Sequence, residues 1–152
     1  MAKKKNALRK HYIAPFTPAT PTTKPAANAY KWLAAGIKTA DVENDENTED
    51  IAFYDGDGTE ETVIIGVKRG FSFEGDYIPD NEAQALIAGL DLKYGDERKV
   101  WFKVVYTNNK QREGVATVKE IELTGGDAAE YEKFKCTIQW NQIPTESAVT
   151  GA

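Results

Sequence analysis

The stretch Phe134-Lys135-Cys136-Thr137-Ile138-Gln139-Trp140 decides the fold class. Phe134, Cys136, Ile138 and Trp140 alternate with Lys135, Thr137, Gln139 and Asn141, so one face is apolar and the other polar. That period of two marks a strand with one side against a core. Working outward, the same alternation recurs. Val100, Phe102, Val104 and Tyr106 alternate with Lys99, Trp101, Lys103 and Val105. Val115, Thr117, Lys119, Ile121 and Leu123 alternate with Ala116, Val118, Glu120 and Glu122. Asn108-Asn109 and Gly125-Gly126-Asp127 supply the turns between them. Further upstream, Val63, Ile65, Val67, Phe71 and Phe73 share a face, with Arg69 the exception, and Gly66, Gly70 and Gly75 mark bulges or bends.

One helix interrupts this run of strands. Pro79-Asp80-Asn81-Glu82 offers a cap, and Ala83, Leu86, Ile87 and Leu90 recur at helical spacing in a stretch that ends by Gly95. Many strands and a single helix predict a mainly β, α+β domain of two packed antiparallel sheets, sandwich- or barrel-like. The folded part is expected to begin near Tyr30, with a first strand from Tyr30 to Ile37. A long acidic loop, Asp41 to Asp50, follows, then a short strand Ile51–Tyr54 and a turn at Asp55-Gly56-Asp57-Gly58. Residues 1–28, with Pro15, Pro18, Pro21 and Pro25, are read as an extended N-terminal arm. Residues 29–145 form the β domain, and 146–152 a short polar tail.

Charge is segregated. Residues 1–24 carry Lys3, Lys4, Lys5, Arg9, Lys10 and Lys24 and no acid; the chain totals −5, which leaves −11 for the rest. Between Thr39 and Glu61 stand ten acids and no Lys or Arg. Opposite blocks on one chain attract, within a copy or between copies. A domain this acidic repels a phosphate backbone instead of holding it. No apolar run is long enough to span a bilayer, and the N-terminal lysines are not followed by the apolar stretch of a secretory signal.

Catalytic chemistry has little to draw on. His11 is the single histidine and has no nucleophile near it in sequence; Cys136, the single cysteine, falls on the apolar face of a strand. Asp55-x-Asp57-Gly58 resembles a fragment of a calcium loop, but Ile64 stands where the closing bidentate Glu belongs, so a solvated turn is the better reading. The glycines match no phosphate-binding pattern. No enzyme, cofactor or metal is expected.

In order and spacing, these parts resemble the major tail proteins, or tail tube proteins, of long-tailed bacteriophages with non-contractile tails. The residues that carry the resemblance run from Trp32 to about Ile143. They comprise the acidic loop, Phe53-Tyr54-Asp55-Gly56-Asp57-Gly58, the strand Val63–Gly75, the helix with Ala83-Gln84-Ala85-Leu86, the long hairpin strands and Phe134–Trp140. The resemblance implies two packed sheets flanked by a helix and six subunits per ring. It also implies rings stacked into a tube through which DNA leaves without specific binding, in a virion tail made in the bacterial cytoplasm. Partners would be other copies, a tape measure protein and tail terminator or tip proteins. An arm and a long loop would bridge subunits or rings. Arg9, Lys10, Tyr12, Ile13 and Phe16 are the candidate inter-subunit arm residues. Asp41, Glu43, Asp45, Glu46, Glu49 and Asp50 are the candidate inter-ring acidic residues, with complementarity to the basic arm our own addition. Glu74, Glu120 and Gln139 are candidate channel-lining residues. Rival readings are a carbohydrate-binding β-sandwich stacking sugars on Trp32, Trp101 or Trp140, with Trp101 the best placed, and the inner tube of a contractile tail or tail-like bacteriocin.

Overall fold

A computed structural model describes residues 2–149. Ten strands and one helix follow in the order β1 (Lys10–Pro15), β2 (Lys31–Trp32), β3 (Ile37–Val42), β4 (Asp45–Ile51), β5 (Glu61–Lys68), β6 (Gly70–Asp76), α1 (Glu82–Ala88), β7 (Lys99–Val105), β8 (Lys110–Gly125), β9 (Lys133–Trp140) and β10 (Thr145–Ala148). Eight strands make one antiparallel sheet, β2-β1-β7-β8-β9-β6-β3, with β10 on β8; β4 and β5 form a separate two-stranded sheet. The large sheet curls into a half-barrel around its apolar face, so the expected two packed layers are two halves of one continuous sheet, with the small sheet apart. Inside lie Ile13, Phe71, Phe73, Phe102, Val118, Phe134, Ile138 and Trp140, with Ile87 and Leu90 closing one side.

The founding strand behaves as its alternation demands. Phe134, Cys136, Ile138 and Trp140 are buried in β9, between β8 and β6. The Trp140 indole N–H donates to the Phe102 carbonyl at 2.9 Å, so the largest core side chain leaves no polar atom stranded. Gly70 starts β6 against β9: a Cβ there would stand 2.3 Å from the Ile138 carbonyl oxygen, so no side chain fits.

β8 departs from simple alternation. Its inward residues are Ala116 and Val118, then Ile121 and Leu123, a switch from even to odd numbers. The register with β9 slips between Lys119 and Glu122, and Glu120 has φ 55°. One extra residue thus turns the strand over, a bulge that also raises the local twist. Sequence periodicity puts Val115, Thr117, Lys119, Ile121 and Leu123 on one face, because alternation cannot signal a bulge without a glycine.

Helix α1 is shorter than its apolar stripe suggested, ending at Ala88, with Asn81 as its cap accepting from the Gln84 amide. Gln84 is fully buried. Its side-chain oxygen accepts from the Ile78 N–H at 2.7 Å, and its amide donates to Ala35 O at 2.9 Å and Asp76 O at 3.2 Å. One polar side chain therefore ties the helix to the entry of β3 and the exit of β6.

Several expectations change, among them the short strand Ile51–Tyr54, of which only Ile51 is strand, as the last residue of β4. The sheet begins at Lys10, not near Tyr30, because β1 finds a full-length antiparallel partner in β7 and buries Ile13 and Ala14 completely. The expected Tyr30–Ile37 strand shrinks to Lys31–Trp32, where β2 pairs with Tyr12 and Ile13. The acidic stretch is not a loop: Asp41 lies on β3, and Asp45–Ile51 pairs along its length with Glu61–Lys68. Acidic composition lowers strand propensity, but β-branched residues opposite supply the pairing. Of the stretch from 146 read as a tail, Glu146, Ser147 and Ala148 continue a strand from Thr145 that pairs with Lys110–Glu113; Met1 and residues 150–152 of the two terminal segments lie outside the described residues.

Candidate assembly surfaces

The β4–β5 hairpin stands away from the half-barrel. Its root is fixed by the Glu43 N–H donating to Gly70 O, by Gln139 donating to Glu43 O at 3.1 Å and by Arg69 paired with Glu46 at 2.7 Å. Beyond the root, both faces meet solvent. Ile64 and Ile65 are more than half exposed, as are Val42 beside the root and Phe53 at the tip, while Tyr54 is wholly exposed. The tip is a tight turn: the Thr59 N–H donates to Asp57 at 2.9 Å and Gly58 has φ 87°. Hydrogen bonds from the Thr59 side chain first, and from its N–H second, hold the Asp57 carboxyl below its ordinary range. Among the described residues, no cluster of three or more metal-ligating side chains exists. An isolated two-stranded hairpin is marginal in water, and a solvated edge with apolar residues is a template for pairing. This hairpin has the properties of a surface to be covered.

The acidic residues are gathered here: Asp45, Glu46, Glu49 and Asp50 on β4, with Asp41 and Glu43 at its approach. Within the described residues only Arg69 forms an ion pair with any of them, although Thr62 bonds Asp50 and Gln139 bonds Asp45. Among the described residues, no basic residue of the N-terminal segment forms an ion pair with them in the same copy. Instead Lys4 donates to Thr107 O, Lys24 pairs with Glu113, and Arg9 bonds the His11 ring and Ala40 O.

The arm candidates separate into two kinds. Ile13 is core of its own subunit. Lys10, Tyr12 and Phe16 lie on the sheet's outer surface, engaged with Trp32, Lys103 and Lys99 respectively through cation–π contacts. Arg9 lies over the Phe71 ring, 4.9 Å from its centroid. Residues 16–30 cross the outer face and are latched at one acid, since Glu113 accepts from both the Tyr30 hydroxyl and Lys24. Burial first, and the Glu113 carboxylate second, push the Tyr30 phenol far up.

Of the channel candidates, Glu74 is exposed on β6 opposite Lys135 and Thr39. Glu120 is exposed at the bulge and accepts from the Thr137 hydroxyl at 3.1 Å. Gln139 is 6% exposed, because the hairpin root covers it and its amide donates to Glu43 O. The histidine and the cysteine are both structural. His11 packs edge-on against Phe71 and Phe73, and burial, helped by Arg9, pushes its pKa down to about 3. Burial alone pushes the Cys136 thiol up to about 12.

Reasoning from sequence missed the exposed apolar set Val42, Phe53, Tyr54, Ile64 and Ile65. A signal was present: Val63-Ile64-Ile65 is a run of three apolar residues inside an otherwise alternating strand, so both faces carry apolar groups. Trp101 was misread in the other direction. It is 7% exposed, beneath a groove that Phe16, Pro21 and Ile143 help to line, and offers no open stacking platform.

No protein-family model matches the chain, and comparison with curated proteins finds no match. Solved structures do match. A chain of the tail of an empty gene transfer agent particle, refined with C6 symmetry, superposes with a TM-score of 0.72 at 11% identity over 96% of this chain and 100% of that one. A chain of the SPP1 tail tube gives 0.63 at 11% identity over 97% and 82%. A chain of the sheath–tube complex of an extracellular contractile injection system gives 0.51 at 12% identity over 92% and 89%. The fold is that of tail tube subunits.

Proposed function

We propose that this chain is the repeating structural subunit of a tail tube. Six copies form a ring, rings stack, and DNA passes along the channel without being held. One observation carries the reading: the chain is similar from end to end to tail subunits, and it projects an apolar, acidic hairpin that its own fold leaves uncovered. A contact between two different surfaces of one chain repeats without limit, or closes into a ring, according to its rotation. A half-barrel with free margins at β2 and β3 has edges that such a ring would cover. The acidic balance outside the N-terminal segment suits a conduit that phosphates slide past. The role is structural, with no catalysis, in a virion tail assembled from subunits made in the host cytoplasm. A tape measure protein and terminator or tip proteins are the further partners. Cations of the N-terminal segment on one copy face the acids of β4 on another.

A sugar-binding role loses its best platform with Trp101 buried.

Negative-stain electron microscopy of the purified protein across a concentration series tests the proposal. Hollow tubes or six-fold rings are expected. Compact monomers at every concentration, persisting after addition of preformed tail tips, would overturn it.

A further inference from the structure

Between the two free margins of the curled sheet, β1–β2 on one side and β3 on the other, runs a groove of about 440 Å³. Its floor is apolar, with Leu33 and Ile37, and Trp32 stands half-exposed in its wall. Arg9 and Lys38 flank it, with Lys10 and Lys31 on the neighbouring strands and Asp41 the one acid in the lining. β3 has no strand partner on the groove side; the guanidinium of Arg9 reaches across to Ala40 O at 3.3 Å. Lys38 pairs with Asp76 at 3.3 Å but is 69% exposed, so that pair is weak and exchangeable.

The hairpin tip has the complementary chemistry. Phe53 and Tyr54 are exposed aromatics, and Asp55 and Asp57 follow at once, with no cation between Glu43 and Glu61. Within one copy the tip does not fill the groove, because Tyr54 is wholly in solvent. β4 leaves directly after the end of β3, and its seven paired residues span roughly 23 Å from the hairpin root towards the tip. We infer that the Phe53–Tyr54 tip of one copy docks in the groove between β1–β2 and β3 of another, aromatic rings on Leu33 and Ile37 and the aspartates toward Arg9 and Lys38. The groove lies within the about 300–1,000 Å³ range of clefts that hold compact apolar groups. Aromatic anchors in an apolar cleft with a charged rim are the usual centre of an interface. The contact joins two different surfaces, so each copy gives one tip and receives one. This inference rests on the tube proposal and names the site that proposal leaves open.

The test is a disulfide ladder. Tyr54→Cys and Lys38→Cys both replace exposed side chains, and the native Cys136 is fully buried and silent. Oxidation of the double variant should give a ladder of covalent multimers and a mixture of the two single variants should give dimers, while each single variant oxidised alone should stay monomeric; dimers of either single variant alone would mean that the links are 54–54 or 38–38 and would overturn the site. A ladder confirms the contact. Tubes or rings seen by microscopy without a ladder overturn the docking site and leave the tube proposal standing. Neither assembly nor ladder at any concentration overturns both. A charge exchange gives a second reading: Lys38→Glu should reduce tube yield, and adding Asp55→Lys should restore part of it, whereas an unchanged yield would sink the site.

Discussion

Replacing Gln84 with Met removes the polar atoms of a fully buried side chain while keeping nearly its length and volume. Three backbone groups then lose their partner: the Ile78 N–H at 2.7 Å, Ala35 O at 2.9 Å and Asp76 O at 3.2 Å. A stranded buried N–H costs about 1–3 kcal/mol, and each lost carbonyl bond about 0.5–1.5 kcal/mol. The sum is about 2–6 kcal/mol, a large fraction of the about 5–15 kcal/mol that holds an ordinary domain together. With a urea slope of about 2 kcal/mol/M, the midpoint should fall by about 1–3 M. Tryptophan fluorescence is the assay, in dilute protein so that association adds nothing, with far-ultraviolet circular dichroism as a second probe. Gln84→Ala should lose more, because a cavity joins the lost bonds. A Met variant within about 0.5 M of the parent would refute the reasoning and make Gln84 a spacer whose bonds carry no net stability.

His11 gives a pH prediction. Its pKa in the folded protein is about 3, below the unfolded 6.5, so between those values the unfolded chain binds the extra proton. Stability should therefore fall as pH drops from about 7 toward 3, with this residue contributing a slope of up to about 1.4 kcal/mol per pH unit; equilibrium unfolding at several pH values should show His11→Phe with a shallower slope. Deleting residues 2–5 should leave the domain folded, whereas deletion through Pro15 removes β1 and should abolish the cooperative melt; a truncated chain that melts like the parent would mean β1 is dispensable. Neutralising Asp41, Glu43, Asp45 and Glu46 to Asn and Gln should shorten tubes and flatten their salt dependence, and unchanged length and salt response by microscopy would dispose of the pairing with the N-terminal cations.

Much of the fold was legible because its central strands are plain. β9 and β7 each carry one apolar core face and pair with long neighbours, so alternation reads that face directly, although Thr137, Gln139 and Trp101 on the opposite faces are covered as well. The helix carries its own cap at Asn81. What stayed hidden has physical reasons. β1 holds only six residues between a basic segment and a proline-rich one, and its strand character comes from β7, far along the chain. β4 is acidic almost throughout and becomes a strand only because β5 lies beside it. Gln84 lies in the helix but outside its apolar stripe, and nothing local distinguishes a buried glutamine with three partners from an exposed one. Of the assembly surfaces, the acidic block was visible as charge, but the exposure of Ile64 and Ile65 depends on the hairpin leaving the body at Arg69 and Gly70. Those residues read, in sequence, as a mere interruption of one strand.

The extra residue in β8 separates two properties that mutations usually alter together. Lys119 faces Thr137 and Glu122 faces Lys135, so β8 spends three steps where β9 spends two. Removing Glu120 would bring Ala116, Val118, Ile121 and Leu123 into unbroken alternation and keep every flanking pair opposite its present partner. The inventory of inward side chains would be unchanged; the lost quantity would be the bend and twist that a bulge adds. Curvature is then a variable with its own handle. In a closed ring the angle between neighbours follows from the shape of each member, so a one-residue deletion at 120 would probe how subunit curvature selects the number of copies per turn.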